Sequence, residues 1–439
     1  MKKVWLIALL LIFAFPVNAN KEKVVYKEIA VYPSIVPAVK VLEYSLQFGW
    51  HSNGKHYIFN VTQIGFKEAE GFGRRALSNK NYDVFVIGAS ARQYFHGISK
   101  RWKENVREFV ANGGGYVGIC GGANEASLGM ENPKNLFDKV INEGVLGIAN
   151  VYINDDQDEE WQYLYKSSGL EGGVPVNCSL TDHPIVAVSP DNPRIIRYEG
   201  GPGMYFAGKK DELMGEIIPL AIYSEEISEK APIHFWKKEN GEWIPYKQVK
   251  TDLKGLYAGI ATTYGKGRVV LWGPHPEERT FIGGHVEEFL GRNKYSLYRE
   301  TYLYRWVNGT PTEWSYNWWL VRRSVAWACG IDGDDLPPLS NIMIFLIKPS
   351  SWRPSIYIDG RRIISFPYNV LIGEMDFEIY TNGNELSFYI DGKEVEARYS
   401  PPNIWHVDFK GVGKHEIKVV AKDGNTEAYA KVTAYILNP

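Results

Sequence analysis

The chain has few cysteines: three in 439 residues, at Cys120, Cys178 and Cys329. A scaffold stapled by many disulfides is therefore excluded. It also lacks charge of one sign. Lys plus Arg number 49 against 51 Asp plus Glu, for a formal net charge of −2. No long basic run exists, which excludes nucleic acid as a partner, because neutralising phosphates takes clustered Lys and Arg. Besides His275, His51, His56, His96, His183, His234, His285, His406 and His415 show no metal-ligand spacing, so no metal is expected. Gly259 to Lys266 misses a phosphate-binding loop, since Gly267 rather than Ser or Thr follows Lys266. No cofactor is expected.

Long apolar runs are absent beyond the N-terminus. There, Lys2 and Lys3 precede the apolar stretch Val4 to Phe15, and Val17-Asn18-Ala19 offers a small-residue cleavage site. Residues 1–19 read as a signal peptide, which places the chain outside the cell or on its surface. The alternative is an uncleaved N-terminal membrane anchor, although the run is short for a span. Outside the cell, an odd cysteine count leaves one over. A Cys178–Cys329 disulfide with Cys120 free is the economical pairing; three unpaired buried thiols is the other.

What is present is an ordinary core composition, 45% hydrophobic and 23% charged, with a length that suggests two or three domains. Val24 to Tyr32, Tyr57 to Val61 and Tyr82 to Ile87 read as strands. Pro37 to Gln47, Phe66 to Leu77 and the segment after Ser99 read as helices. The last has its apolar face at Trp102, Val106, Phe109 and Val110. This alternation predicts a doubly wound, flavodoxin-like, mostly parallel α/β sheet. The stretch near 131–250 is irregular and strand-rich, an insertion that shapes the mouth of a site. Within it, Asn154, Asp156 and Asp158 read as a solvated acidic loop, because Glu159 and Tyr165 stand where a calcium loop needs Gly and Glu. Thr312 to Cys329 reads as an amphipathic Trp-rich helix that packs on the α/β domain, followed by a linker, so that 309–338 joins two parts.

From 339 to 439 the pattern changes to short strands. Ile356-Tyr357-Ile358-Asp359-Gly360 and Phe388-Tyr389-Ile390-Asp391-Gly392 each join a strand to an Asp-Gly turn. This predicts a cysteine-free, immunoglobulin-like β-sandwich that serves as a spacer or in cell-surface association.

The chemistry gathers in two motifs. In Gly118-Ile119-Cys120-Gly121-Gly122 an apolar strand runs through a small-residue turn into a helix. That arrangement exposes a thiol at a sharp strand-to-helix elbow. The other reading is a buried cysteine beside a glycine-rich loop. Far downstream, a strand from Gly267 ends in Gly273-Pro274-His275-Pro276-Glu277. A thiol nucleophile needs a base, and the base needs an orienting partner. Alone, this segment is equally a polar turn; with Cys120 it supplies the missing pair.

These motifs, with Gly201-Pro202-Gly203-Met204-Tyr205-Phe206, resemble the class I glutamine amidotransferase-like superfamily, in the form found at the N-terminus of biotin-protein ligases. The resemblance covers about 20–308. It implies Cys120 as nucleophile, His275 as base and Glu277 as the orienting carboxylate. The oxyanion donors it implies are the Gly121 amide and one from Gly88-Ala89. Asn124, His96 and Tyr205 are candidates for the pocket wall. Glutamine-using members carry Gln where this chain has Asn124, and peptidase-like members carry His where it has Gly121. The biotin-ligase catalytic half has no counterpart here. The expected function is a secreted cysteine hydrolase of an amide-type bond in a small molecule or peptide. The alternative is a non-catalytic cell-surface binding module on the same fold.

Overall fold

The computed structural model describes residues 22–32, 38–89, 92–155, 157–293 and 299–439. The expected signal peptide, Met1 to Ala19, and Asp156 of the acidic stretch lie outside the described residues.

The chain is a mixed α/β protein with a strand-rich C-terminal region. The centre of its main sheet is parallel. Lys23–Tyr32 lies between Lys55–Gln63 and Val84–Ile87. Val84–Ile87 pairs with Gly115–Ile119, and that strand pairs with Gly267–Trp272. Val84–Ile87 is apolar at every position because both of its faces are covered. Val86, Val117 and Val270 pack with helices Ala38–Leu46 and Trp318–Ala328. Phe85, Tyr116 and Leu271 face the other way, onto helices Lys100–Ala111 and Gly121–Ala126. Ser99 caps Lys100–Ala111 by accepting from the Trp102 N–H, and the expected apolar stripe is buried.

Beyond Gly267–Trp272 the sheet turns antiparallel, through Tyr257–Tyr264, Ile218–Tyr223, Val174–Leu180 and Arg194–Tyr198. The insertion thus extends the sheet from the edge where His275 emerges. It also holds helices Leu136–Gly144 and Gln157–Tyr165. The latter begins within the acidic stretch, which is no solvated loop. Asn154, Glu159 and Glu160 are buried.

Other expectations change too. The helix from Phe66 stops at Ala69, because Gly71 and Gly73 adopt φ of 87° and 83°. Phe48–Ser52 is a strand, paired with Lys55–Gln63 across an Asn53-Gly54 turn with both residues at positive φ. The Trp-rich helix starts at Trp318, and Trp318 and Trp319 are fully buried. The cluster is packing, as expected. No disulfide forms: Cys120, Cys178 and Cys329 are all free and buried. Cys178 lies within Val174–Leu180 near Glu225, whereas Cys329 ends the Trp helix near Asp83 and Lys27. Each thiol has its own neighbours, and burial pushes both pKa values up. Among the described residues no helix is long and apolar enough to cross a membrane.

The C-terminal region consists of two sheets sharing one core. Both Asp-Gly turns close hairpins, Ser355–Ile358 with Arg361–Ser365 and Glu385–Ile390 with Lys393–Val395. The long hairpin Gly411–Asp423 and Thr426–Asn438 joins them. A four-stranded sheet of Ile344–Lys348, Met375–Thr381, Ile404–Val407 and Ala397–Ser400 covers the inner face. Thr426–Asn438 also pairs at its start with Phe48–Ser52, so one sheet spans both halves. The expected linker is tied down. Asp335 accepts from Lys55, Tyr57 and Asn53. Arg322, fully buried, donates to the carbonyls of Ser45, Ser340 and Ile342.

Candidate active site

Strand Gly115–Ile119 delivers Cys120 in a strained positive-φ conformation, φ 53° and ψ −109°, directly before helix Gly121–Ala126. Such a backbone costs a non-glycine residue about 1–3 kcal/mol. The turn tolerates no side chain beside it. A Cβ at Gly118 would lie 2.3 Å from the Gly122 carbonyl oxygen, and one at Gly122 would lie 2.1 Å from that of Ile87. The small residues of the motif are thus a steric requirement.

His275 arrives from the neighbouring strand. Trp272 stands opposite Ile119 in parallel register, so the chain leaves both strands at the same edge of the sheet. The His275 N–H donates to the Arg197 carbonyl at 2.7 Å. Its Nδ1 and Glu277 Oε1 are 2.9 Å apart. Both side chains are buried, 2% and 1% exposed. His275 Nε2 makes no hydrogen bond of ordinary geometry, yet the ring interacts with the Cys120 thiol. Burial opposes the charged imidazole, but Cys120 and Glu277 outweigh it and hold the His275 pKa well above its ordinary value.

The turn is clamped from both sides. Trp318 Nε1 donates to the Glu277 carbonyl at 2.7 Å. Arg197, fully buried, pairs with Glu278 at 2.9 Å and Glu199 at 2.6 Å. His275, Glu277 and Glu278 also bring potential metal-ligand atoms within 4.8 Å of one another. The Arg197 guanidinium, shared with Glu199, already holds the Glu278 carboxylate, so a metal would have to displace that pair to use it. The cluster suits a proton-transfer pair better than a metal.

Gly201-Pro202-Gly203 roofs the site. A Cβ at Gly201 would lie 3.5 Å from the Cys120 Cα and 1.9 Å from the Gly273 oxygen. The Tyr223 hydroxyl donates to the Pro202 carbonyl, and Asn154 Oδ1 accepts from the Gly203 N–H at 3.0 Å. Tyr198 and Tyr223 are buried within electrostatic reach of the thiol, and burial raises both their pKa values. Arg197, Tyr198 and Tyr223 escaped the sequence reading, because their role depends on partners distant in the chain; Trp318 was legible only as packing. Asn154 carried a signal, its place in the acidic stretch, that pointed elsewhere.

The remaining candidates divide. Gly88 and Ala89 follow Val84–Ile87, whose last register pair is Ile87 with Gly118. They therefore lie alongside the turn. Gly121 opens the helix, where amides have no intrahelical acceptor. Asn124 is buried one turn on, its N–H donating to the Cys120 carbonyl. His96 has Nδ1 2.6 Å from the Tyr32 hydroxyl and its ring on Phe66; Tyr32 pairs with Ile87 at the same edge of the sheet. Tyr205 reaches Glu131 and packs on Tyr152.

Residues 80–294 match the family model described as "Biotin-protein ligase, N terminal". The chain carries a biotin-protein ligase N-terminal-type domain. Cys120, His275 and Glu277 all fall inside that domain. Among solved structures, the chain is similar to a glutamine amidotransferase from Thermotoga maritima. The identity is 11%, over 57% of this chain and 76% of that one, with a TM-score of 0.30. It is similar to a cytoplasmic protein from Salmonella typhimurium, at 13% identity, 56% and 86% coverage, and a TM-score of 0.26. It is also similar to a β-galactosidase from Rahnella, at 9% identity and a TM-score of 0.34, over 93% of this chain and 41% of that one. No curated protein matches the chain.

Proposed function

We propose that the biotin-protein ligase N-terminal-type domain of this chain is a cysteine hydrolase of an amide-type bond. The observation that carries the reading is the meeting of three buried groups: Cys120 on its strained turn, His275 against it, and Glu277 bonded to His275 Nδ1. Cys120 Sγ attacks the substrate carbonyl carbon while His275 takes the thiol proton. The oxyanion is met by the Gly121 amide and one from Gly88-Ala89, each worth about 3 kcal/mol. The C–N bond breaks as His275 returns the proton to the leaving amine. Water, deprotonated by the same imidazole, then cleaves the thioester and releases the acid. The substrate is a small-molecule or peptide amide. The apolar N-terminal run supports a location outside the cytoplasm. The C-terminal region acts as an immunoglobulin-like spacer or surface-association module.

One observation favours a second reading, a non-catalytic binding module. Cys120 is only 8% exposed, with Gly201 packed close to its Cα, so the approach to the thiol is narrow. The discriminating experiment is incubation of the chain with an amide substrate library, followed by acid quenching and mass measurement. Hydrolysis with an acyl adduct on Cys120, abolished in Cys120→Ser, supports the hydrolase. Turnover that survives Cys120→Ser contradicts the thiol mechanism, and binding without turnover or adduct assigns the module reading.

A further inference from the structure

The C-terminal sheet has an apolar outer face. Strand register builds it in rows. Ile364, Ile356, Val370 and Tyr435 stand opposite one another across four strands, with Lys414 next. Two residues along, Ile358, Ile372, Leu437 and Val412 form a second row, with Arg361 at its end. The intervening row, Tyr357, Leu371 and Ile436, points inward and is buried. Alternation thus puts apolar side chains on both sides of the sheet, whereas a sheet with one solvated face carries polar residues there. Ile363, the bulged residue of Arg361–Ser365, and the adjoining Phe366 and Tyr368 enlarge the patch.

Eight of these side chains are each 41 to 64% exposed. At on the order of 100 Å² apiece, they approach the roughly 800 Å² that one partner contributes to a standard interface. The largest apolar patch of an ordinary monomer is about 300–600 Å². The rim carries both signs, Lys414 and Glu416 on one strand and Arg361 and Asp359 at the opposite turn. A bilayer of anionic lipid or an acidic polymer would be met by one sign. Mixed charge around an apolar centre suits a self-complementary contact, in which each rim cation meets an anion of the other copy.

We propose that this face is a self-association surface, and that its occupant is the same face of a second copy of the chain. The contact would stack two sheets across a two-fold axis. It lies at the end of Thr426–Asn438 farthest from the pairing with Phe48–Ser52, so the α/β halves stay free.

Sedimentation equilibrium of the purified full chain tests this at micromolar concentration. Twice the chain mass is expected. The double variant Ile364→Lys, Leu437→Lys should raise the dissociation constant at least 100-fold, with unchanged tryptophan fluorescence reporting an intact fold. Tyr246→Lys, an exposed aromatic on a separate hairpin, should leave the dimer intact. A wild-type monomer would overturn the proposal, as would a dimer that survives the double substitution. A monomer that instead pellets with phosphatidylserine vesicles, or with a cell-wall polysaccharide, would overturn it in favour of that occupant.

Discussion

The backbone N–H of Cys120 donates to the Trp272 carbonyl oxygen at 2.7 Å. This one bond extends the parallel ladder between Gly115–Ile119 and Gly267–Trp272 by a residue, and it closes the space between two motifs far apart in the chain. The thiol's position is thereby coupled to the strand that carries His275.

The elbow should not accept a methyl group. Gly122→Ala places Cβ 2.1 Å from the Ile87 carbonyl oxygen, a backbone atom that cannot yield cheaply. The expected cost is about 3 kcal/mol or more, read as a lowered urea midpoint. Gly65→Ala is the control, since Gly65 has an ordinary φ of −95° and its Cβ would meet only the flexible end of the Glu68 side chain, at 3.1 Å. Equal losses at both positions would contradict the steric account.

Only one thiol should be chemically available. Burial pushes Cys178 and Cys329 up in pKa, and neither is bonded to another cysteine. Titration with a disulfide reagent should find one rapidly reacting thiol in the native chain and three in 6 M guanidinium. Two fast thiols, or a release of thiols on reduction, would be inconsistent with the structure.

Glu277→Gln keeps the shape of the carboxylate and removes its charge. After burial, Cys120 and Glu277 set the His275 shift, which is upward. Losing one of them should lower the imidazole midpoint by about one unit or more, measurable from its proton resonances. The sign for stability follows. A raised folded pKa contributes fully below the unfolded value of about 6.5 and is lost as pH rises through the folded value. The stability gap between wild type and Glu277→Gln should therefore narrow toward alkaline pH.

The seam between the halves should weaken in acid. The bonds from Lys55 and Tyr57 hold Asp335 down to about 2. A depressed carboxylate stabilises above its unfolded pKa of about 3.9 and loses that contribution as pH falls through the folded value. Asp335→Asn should cost on the order of 1 kcal/mol at pH 7, since the pair is partly exposed. The difference from wild type should shrink steadily between pH 4 and 2 in denaturant titrations.

Much of the site was legible because it rests on steric and local chemistry. The glycines around Cys120 and the His275-x-Glu277 spacing declare themselves without knowledge of the fold. The apolar strand ending at Ile87 and the Ser99 cap were equally local. Other features were not. Arg197 is an arginine like any other until Glu199, Glu278 and the His275 backbone close around it. Asn154 looked like part of an acidic loop, and its role came only from Gly203 and Asp252. The Asn53-Gly54 turn was a readable hairpin signal, hidden by the expected helix before it. The Cys178–Cys329 pairing rested on counting, and the thiols' separate surroundings overrule the count.

The most direct test of the central claim is the alkylation rate of Cys120 by iodoacetamide as a function of pH, in wild type and in His275→Ala, with near-ultraviolet circular dichroism confirming the fold. The account predicts fast reaction near neutral pH in the wild type and a drop of at least about tenfold at pH 7 in the variant. Equal rates in the two proteins, or a native Cys120 as inert as Cys178 and Cys329, would contradict it.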